Sequence, residues 1–227
     1  MAFNLVLSIQ IVMFIIFSST NGQIPSEEIP PEIKFVLDPE LGEWKSPEEL
    51  EKICPYYLSG FDEENRPIWV IEMGVWPTRD ILAKGPEWES IYGKYADQFL
   101  KRVFDSVMLR STPANPVREF NVIIDVDNYN IKYLGSAKAV SHTTEKFKLL
   151  TIASKFSHAS FIVNMNYFGE VVLNLMRPIL GKALEKVEIY GTNSNAWIPK
   201  MLKILPQNQL SAKYGGNKDF KPIKMYG

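Results

Sequence analysis

Apolar positions along the chain come in two kinds of block that take turns. The run Ile68-Trp69-Val70-Ile71-Glu72-Met73 has the β-branched and aromatic content of a strand, and Gly74 and Pro77 close it. Over 87–109 the residues Trp88, Ile91, Tyr92, Tyr95, Phe99, Val103, Phe104 and Val107 recur at spacings of three and four. That spacing predicts a long amphipathic helix with one apolar stripe and one charged face. Phe120-Asn121-Val122-Ile123-Ile124-Asp125-Val126 is nearly continuous in apolar character, the pattern of a strand covered on both faces and so of a buried parallel sheet. The same alternation then predicts a helix over 136–156, a strand over 159–165, a helix over 170–180, a strand over 187–190 and a last helix over 196–205. Strands alternating with helices select an α/β domain with right-handed crossovers.

The two ends depart from this rhythm. No charged residue precedes Glu27, and Ala2 to Phe17 is almost wholly aliphatic or aromatic, with the small residues of Thr20-Asn21-Gly22 after it. Residues 1–22 read as a secretory signal peptide cleaved before Gln23, which places the mature chain in a secreted or lumenal setting. A signal anchor is the rival reading, since Met1-Ala2-Phe3-Asn4 lacks Lys and Arg, although about 16 apolar residues fall short of the ~20 that span a bilayer. Segment 23–45 carries Pro25, Pro30, Pro31 and Pro39 and is expected to be an extended lead-in that wraps the domain. Ser46 as N-cap, Pro47 as first helical residue and Glu49 as the other half of a capping box predict a short helix that ends before Pro55. The domain proper is expected over 46–216, and 217–227 as a solvated, lysine-bearing tail.

Composition narrows the chemistry. With 46% hydrophobic and 22% charged residues the chain is globular, and 25 basic against 26 acidic residues leave no broad footprint for nucleic acid. The single Cys54 cannot form an internal disulfide, and with only two histidines little remains for a zinc site. The chain has no G-x-S-x-G, G-x-G-x-x-G, G-K-[ST] or H-E-x-x-H. His142 and His158 read as surface or capping residues, and Cys54 as an inert, partly buried thiol. Asp125-Val126-Asp127 sits at the end of a buried strand, where two carboxylates can hold a divalent metal, but one Asp capping the next loop beside a solvated one gives the same pattern.

Four blocks together resemble the CRAL-TRIO, or Sec14-like, lipid-binding domain: YYLSGFDEENRPIWV from Tyr56, VIIDVDNYNI from Val122, FIVNMNYFGEVVLNLMRPIL from Phe161 and LPQNQLSAKYGG from Leu205. The resemblance covers 46–216, and where the family carries a Tyr-Pro-Glu-Arg type of segment this chain has Lys155-Phe156-Ser157-His158. It implies an α/β fold whose mostly parallel sheet floors a hydrophobic pocket, covered by helices that include a mobile gate helix near 170–180. The pocket and gate lining would then include Ile131, Leu134, Phe168, Val172, Leu175, Met176 and Ile179, although periodicity by itself does not separate a pocket wall from a core wall. By resemblance to phosphatidylinositol-transfer members, Glu145 and Arg177 would hold a lipid headgroup, with a plain surface salt bridge as the competing reading. The implied function is non-enzymatic: a carrier of one small hydrophobic ligand, either a phospholipid such as phosphatidylinositol or an isoprenoid such as tocopherol, a retinoid or a carotenoid. Transient membrane contact is implied, and no cofactor other than the bound lipid. The rivals are a metal-dependent α/β enzyme using Asp125 and Asp127, and a protein-binding module with a filled pocket.

Overall fold

The computed structural model describes residues 24–132 and 135–226, and of Ile179, Lys182 and Ala183 the backbone alone. The expected signal segment and Leu134 lie outside the described residues. A six-stranded sheet forms the centre, with strands β1 (Tyr56–Phe61), β2 (Pro67–Ile71), β3 (Phe120–Asp125), β4 (Ser157–Met165), β5 (Glu188–Gly191) and β6 (Lys224–Tyr226) in the order β5-β4-β3-β2-β1-β6. Strands β2 to β5 pair parallel with one another, and β1 runs antiparallel to both β2 and β6.

Alternation along the strands sorts side chains to two cores. Ile71, Ile124 and Ile162 stand in register across β2, β3 and β4 on one face, while Val70, Ile123 and Phe161 form the neighbouring row on the other. The first face is covered by the helices α3 (Thr78–Ala83), α4 (Pro86–Ser106), α5 (Ala137–Ala153) and α6 (Tyr167–Leu180). The second packs on Trp197 and Met201 of α7 (Ser194–Met201) and on Leu205, Leu210 and Tyr214. Burying each large apolar side chain in these rows contributes ~1.5–3 kcal/mol, which is why β3 tolerates so few polar positions.

Several expectations about the ends are corrected. Segment 23–45 is not extended where it is described: a 3-10 helix (Pro31–Leu37) and α1 (Pro39–Glu43) occupy it, each with proline in its first turn, and the Asp38 carboxylate caps α1 by accepting from the Glu40 N–H at 2.9 Å. It does wrap α4. Lys101 Nζ donates to the Val36 carbonyl at 3.2 Å, and Gln98 Nε2 to those of Leu41 and Trp44 at 2.9 and 2.6 Å. The short helix α2 (Glu48–Ile53) has Pro47, not Ser46, at its N-cap; Ser46 Oγ donates instead to Glu51, and Glu49 pairs with Lys84, so no capping box forms. The tail is not merely solvated either, because Tyr226 of β6 stacks on Tyr56 and Trp69 at 5.2 and 5.9 Å between ring centres.

Candidate functional site

Three small cavities of about 40, 30 and 20 Å³ lie between the first sheet face and helices α4, α5 and α6. They share walls. Phe99, Leu100 and Leu150 border both the first and the second, Phe147 the second and the third, and Met73 with Thr143 the first and the third. Helix α5 contributes to all three, and the sheet supplies Ile71, Val122, Ile124 and Ile162 as floor. A larger cleft of about 340 Å³ opens at the amino-terminal ends of the parallel strands, beside Glu63, Arg66 and His158. Its Arg66 is engaged by Asp62 at 2.7 Å, by Glu64 and by Glu119 at 3.7 Å, a self-satisfied polar surface unsuited to hydrocarbon.

The expected lining residues divide. Val172 and Met176 of α6 are buried and border the third cavity beside Leu173, Met165 and Gly169. Leu175 is 59% exposed and Ile131 61% exposed, so neither lines a cavity. On α6 the inner line runs through Val172, Leu173, Met176 and Leu180, and the apolar sector of the helix is wider than the part that meets the core, which leaves Leu175 outside. Ile131 stands in the turns after β3. Phe168 is half-buried, packed on the edge of the core and edge-to-face with Tyr167. Asn166 caps α6 by accepting from the Gly169 N–H at 3.0 Å.

The expected headgroup pair is not assembled. Glu145 and Arg177 are both exposed, and the Arg177 Nε–H donates to Asn174 Oδ1 at 3.0 Å. The charged groups on the cavity walls are Asp97 and Lys146, whose Nζ donates to Asp97 Oδ1 at 2.8 Å inside the first cavity. Burial pushes the Asp97 carboxyl above the usual carboxylate range against the pull of Lys146. Beside them the His142 ring stacks on Tyr92, with centres 4.9 Å apart and planes 17° apart, and the Tyr92 hydroxyl shares a 2.7 Å hydrogen bond with Thr78 Oγ1. His142 Nε2 is buried without a hydrogen-bond partner. Burial, followed by the nearby Lys146, lowers the proton affinity of this imidazole. A signal for this cluster exists in the sequence, since His142, Lys146 and Leu150 recur at every fourth residue of α5. The charged residue on the inner face is thus the immediate neighbour of the one the resemblance selected.

Asp125 is a structural carboxylate. It accepts from Tyr214 Oη at 2.8 Å, Lys213 Nζ at 2.7 Å, Asn164 Nδ2 at 3.0 Å and the Asp127 N–H at 2.9 Å. Burial opposes its charge, but the bonds from Lys213, Asn164 and the Asp127 backbone outweigh that and hold the carboxyl below its usual range. The Asp127 carboxylate accepts from the Asn128 N–H instead. With four donors on Asp125 and Asp127 turned to the Asn128 N–H, the two-aspartate enzyme reading is not favoured. The Tyr-Gly-Gly block serves the same network: Gly215 has φ +84°, and a β-carbon on Gly216 would lie 1.8 Å from the Leu210 carbonyl oxygen.

Residues 52–216 match the family model of the CRAL/TRIO domain. Among solved structures the chain is similar to the crystal structure of Sfh5, with a TM-score of 0.51 and 9% identity over 84% of this chain and 68% of that one, a likeness of fold.

Proposed function

Because the chain belongs to the CRAL/TRIO domain family, whose members are in general lipid-binding and lipid-transfer proteins, we propose that it carries one hydrophobic molecule between the sheet and α4 to α6 and exchanges it at membranes. The observation that carries this reading is the row of cavities with shared walls that are mainly apolar. At 40, 30 and 20 Å³ they are far below the ~300–1,000 Å³ of ligand pockets, so loading requires the helices to move off the sheet. The third cavity is bordered by Met73, Met165 and Met176, flexible side chains that repack around a guest.

The ligand is a phospholipid or an isoprenoid. A two-chain phospholipid buries ~30 methylenes, roughly 24 kcal/mol at ~0.8 kcal/mol each, so release into water is negligible and exchange takes place against a bilayer. Among the described residues no helix is long and apolar enough to cross a membrane. The apolar run of residues 2–17 supports a secreted or lumenal setting, with sequencing of the native amino terminus expected to start near Gln23. The central test is mass spectrometry of organic extracts from natively purified protein, paired with transfer between labelled and unlabelled vesicles. One lipid per chain and protein-dependent transfer are expected; protein without extractable lipid that moves none would overturn the reading.

A further inference from the structure

Of the three cavities, the first is the one with charged side chains in its wall, and those charges cancel: Lys146 Nζ is 2.8 Å from Asp97 Oδ1, with side-chain exposures of 13% and 27%. An anion entering there would lose its water and find no unmatched cation in return. Among the described residues that line this cavity, His142 Nε2 is a buried polar atom without a hydrogen-bond partner. Gly93, inside the 21-residue helix α4, faces the same groups: a β-carbon there would stand 3.8 Å from Lys146 Nζ and 4.0 Å from both Lys146 Cε and His142 Cε1. A hydroxyl both donates and accepts, so it satisfies Nε2 in either tautomer of the imidazole, which neither a hydrocarbon nor a carboxylate does.

The geometry points to His142 as the anchor for the hydroxyl of an uncharged lipid, its polar end in the first cavity beside the Asp97–Lys146 pair and its chain running through the second and third. This rests on the carrier reading above and selects within it against phosphoinositides. Burial, with Lys146 beside it, disfavours the charged imidazole, in line with an uncharged guest.

The test uses the delipidated full chain, equilibrated at pH 7.5 with phosphatidylcholine vesicles carrying oleyl alcohol, oleic acid, 1-octadecene or phosphatidylinositol, and reads the amount of each that moves to the protein. Three of these share an 18-carbon chain and differ at its end. The alcohol is expected to be retained over the hydrocarbon and over oleate. His142→Phe preserves the stack on Tyr92 but removes the nitrogen, and should cut the alcohol-to-hydrocarbon ratio about tenfold while leaving octadecene uptake unchanged. His142→Leu, which also removes the nitrogen, should lower the ratio likewise and decides the matter if the Phe variant does not fold. An unchanged ratio in the variants, or wild-type preference for oleate or phosphatidylinositol, overturns the assignment while leaving the carrier reading intact. Uptake of none of the four overturns both.

Discussion

Asp125 has four hydrogen-bond donors around one carboxylate, and they tie the end of β3 to β4 through Asn164 and to the Tyr-Gly-Gly segment through Tyr214. Its native carboxyl titrates below the ordinary value of ~3.9, so in acid the unfolded chain binds the proton first. The stabilisation is therefore complete above that ordinary value and is lost as pH falls through it toward the native value. Asp125→Asn should cost about 2 kcal/mol at neutral pH and flatten the fall in stability below about pH 4, both read from denaturant titrations across pH. The residue also shows what isolated sequence conveys: a strand-end Asp followed by another is legible as a cap or a metal ligand, and only the fold, by bringing Lys213 and Tyr214 from 88 and 89 positions away, chooses between them.

Helix α6 separates two leucine-sized side chains that look alike in sequence. Met176 is 2% exposed at the third cavity, while Leu175 is 59% exposed on the outer surface. Met176→Asp should lower stability by ~2–5 kcal/mol and abolish lipid retention, whereas Leu175→Asp should stay within ~0.5 kcal/mol and still carry its load; thermal melts and extracted lipid report the difference. Elements with their own pattern were legible from sequence: β2 to β5 and α4 to α7 fall within a few residues of the runs that predict them. β1 was not, because Tyr56-Tyr57-Leu58-Ser59-Gly60-Phe61 has no clean alternation and owes its form to partners on both edges. β6 is three residues long and is held by Tyr226 against Tyr56, Trp69 and the Arg102 guanidinium, contacts no local signal encodes. Among the expected site residues, Val172 and Met176 are buried beside a cavity while Glu145 and Arg177 are exposed, since helical phase errs by a full 100° per residue and Glu145 and the cavity-lining Lys146 differ by one.

At the scale of the molecule, the question is which wall gives way. Helix α5 borders all three cavities yet has four fully buried residues among its 17, against nine of 21 in α4. Few buried contacts mean a low free energy of local opening. Amide hydrogen exchange should be faster in α5 than in α4 in delipidated protein and slow selectively in α5 on loading, by mass spectrometry of exchanged peptides. The sheet edges carry a different consequence. β5 and β6, at the two ends of the sheet, are four and three residues long and bear Glu188 and Lys224, a guard against pairing with another chain. Behind β6 lies β1, six residues long and buried throughout, with Tyr56, Tyr57, Leu58 and Phe61 in it. A proteolytic cut after Lys221 would strip that guard and expose a long apolar edge with unpaired backbone groups, a template for strand-by-strand growth. Chain ending at residue 221 is accordingly expected to scatter more light than the full-length protein at equal concentration, so that a cut outside the lining of the three cavities decides whether the carrier stays dispersed or polymerises.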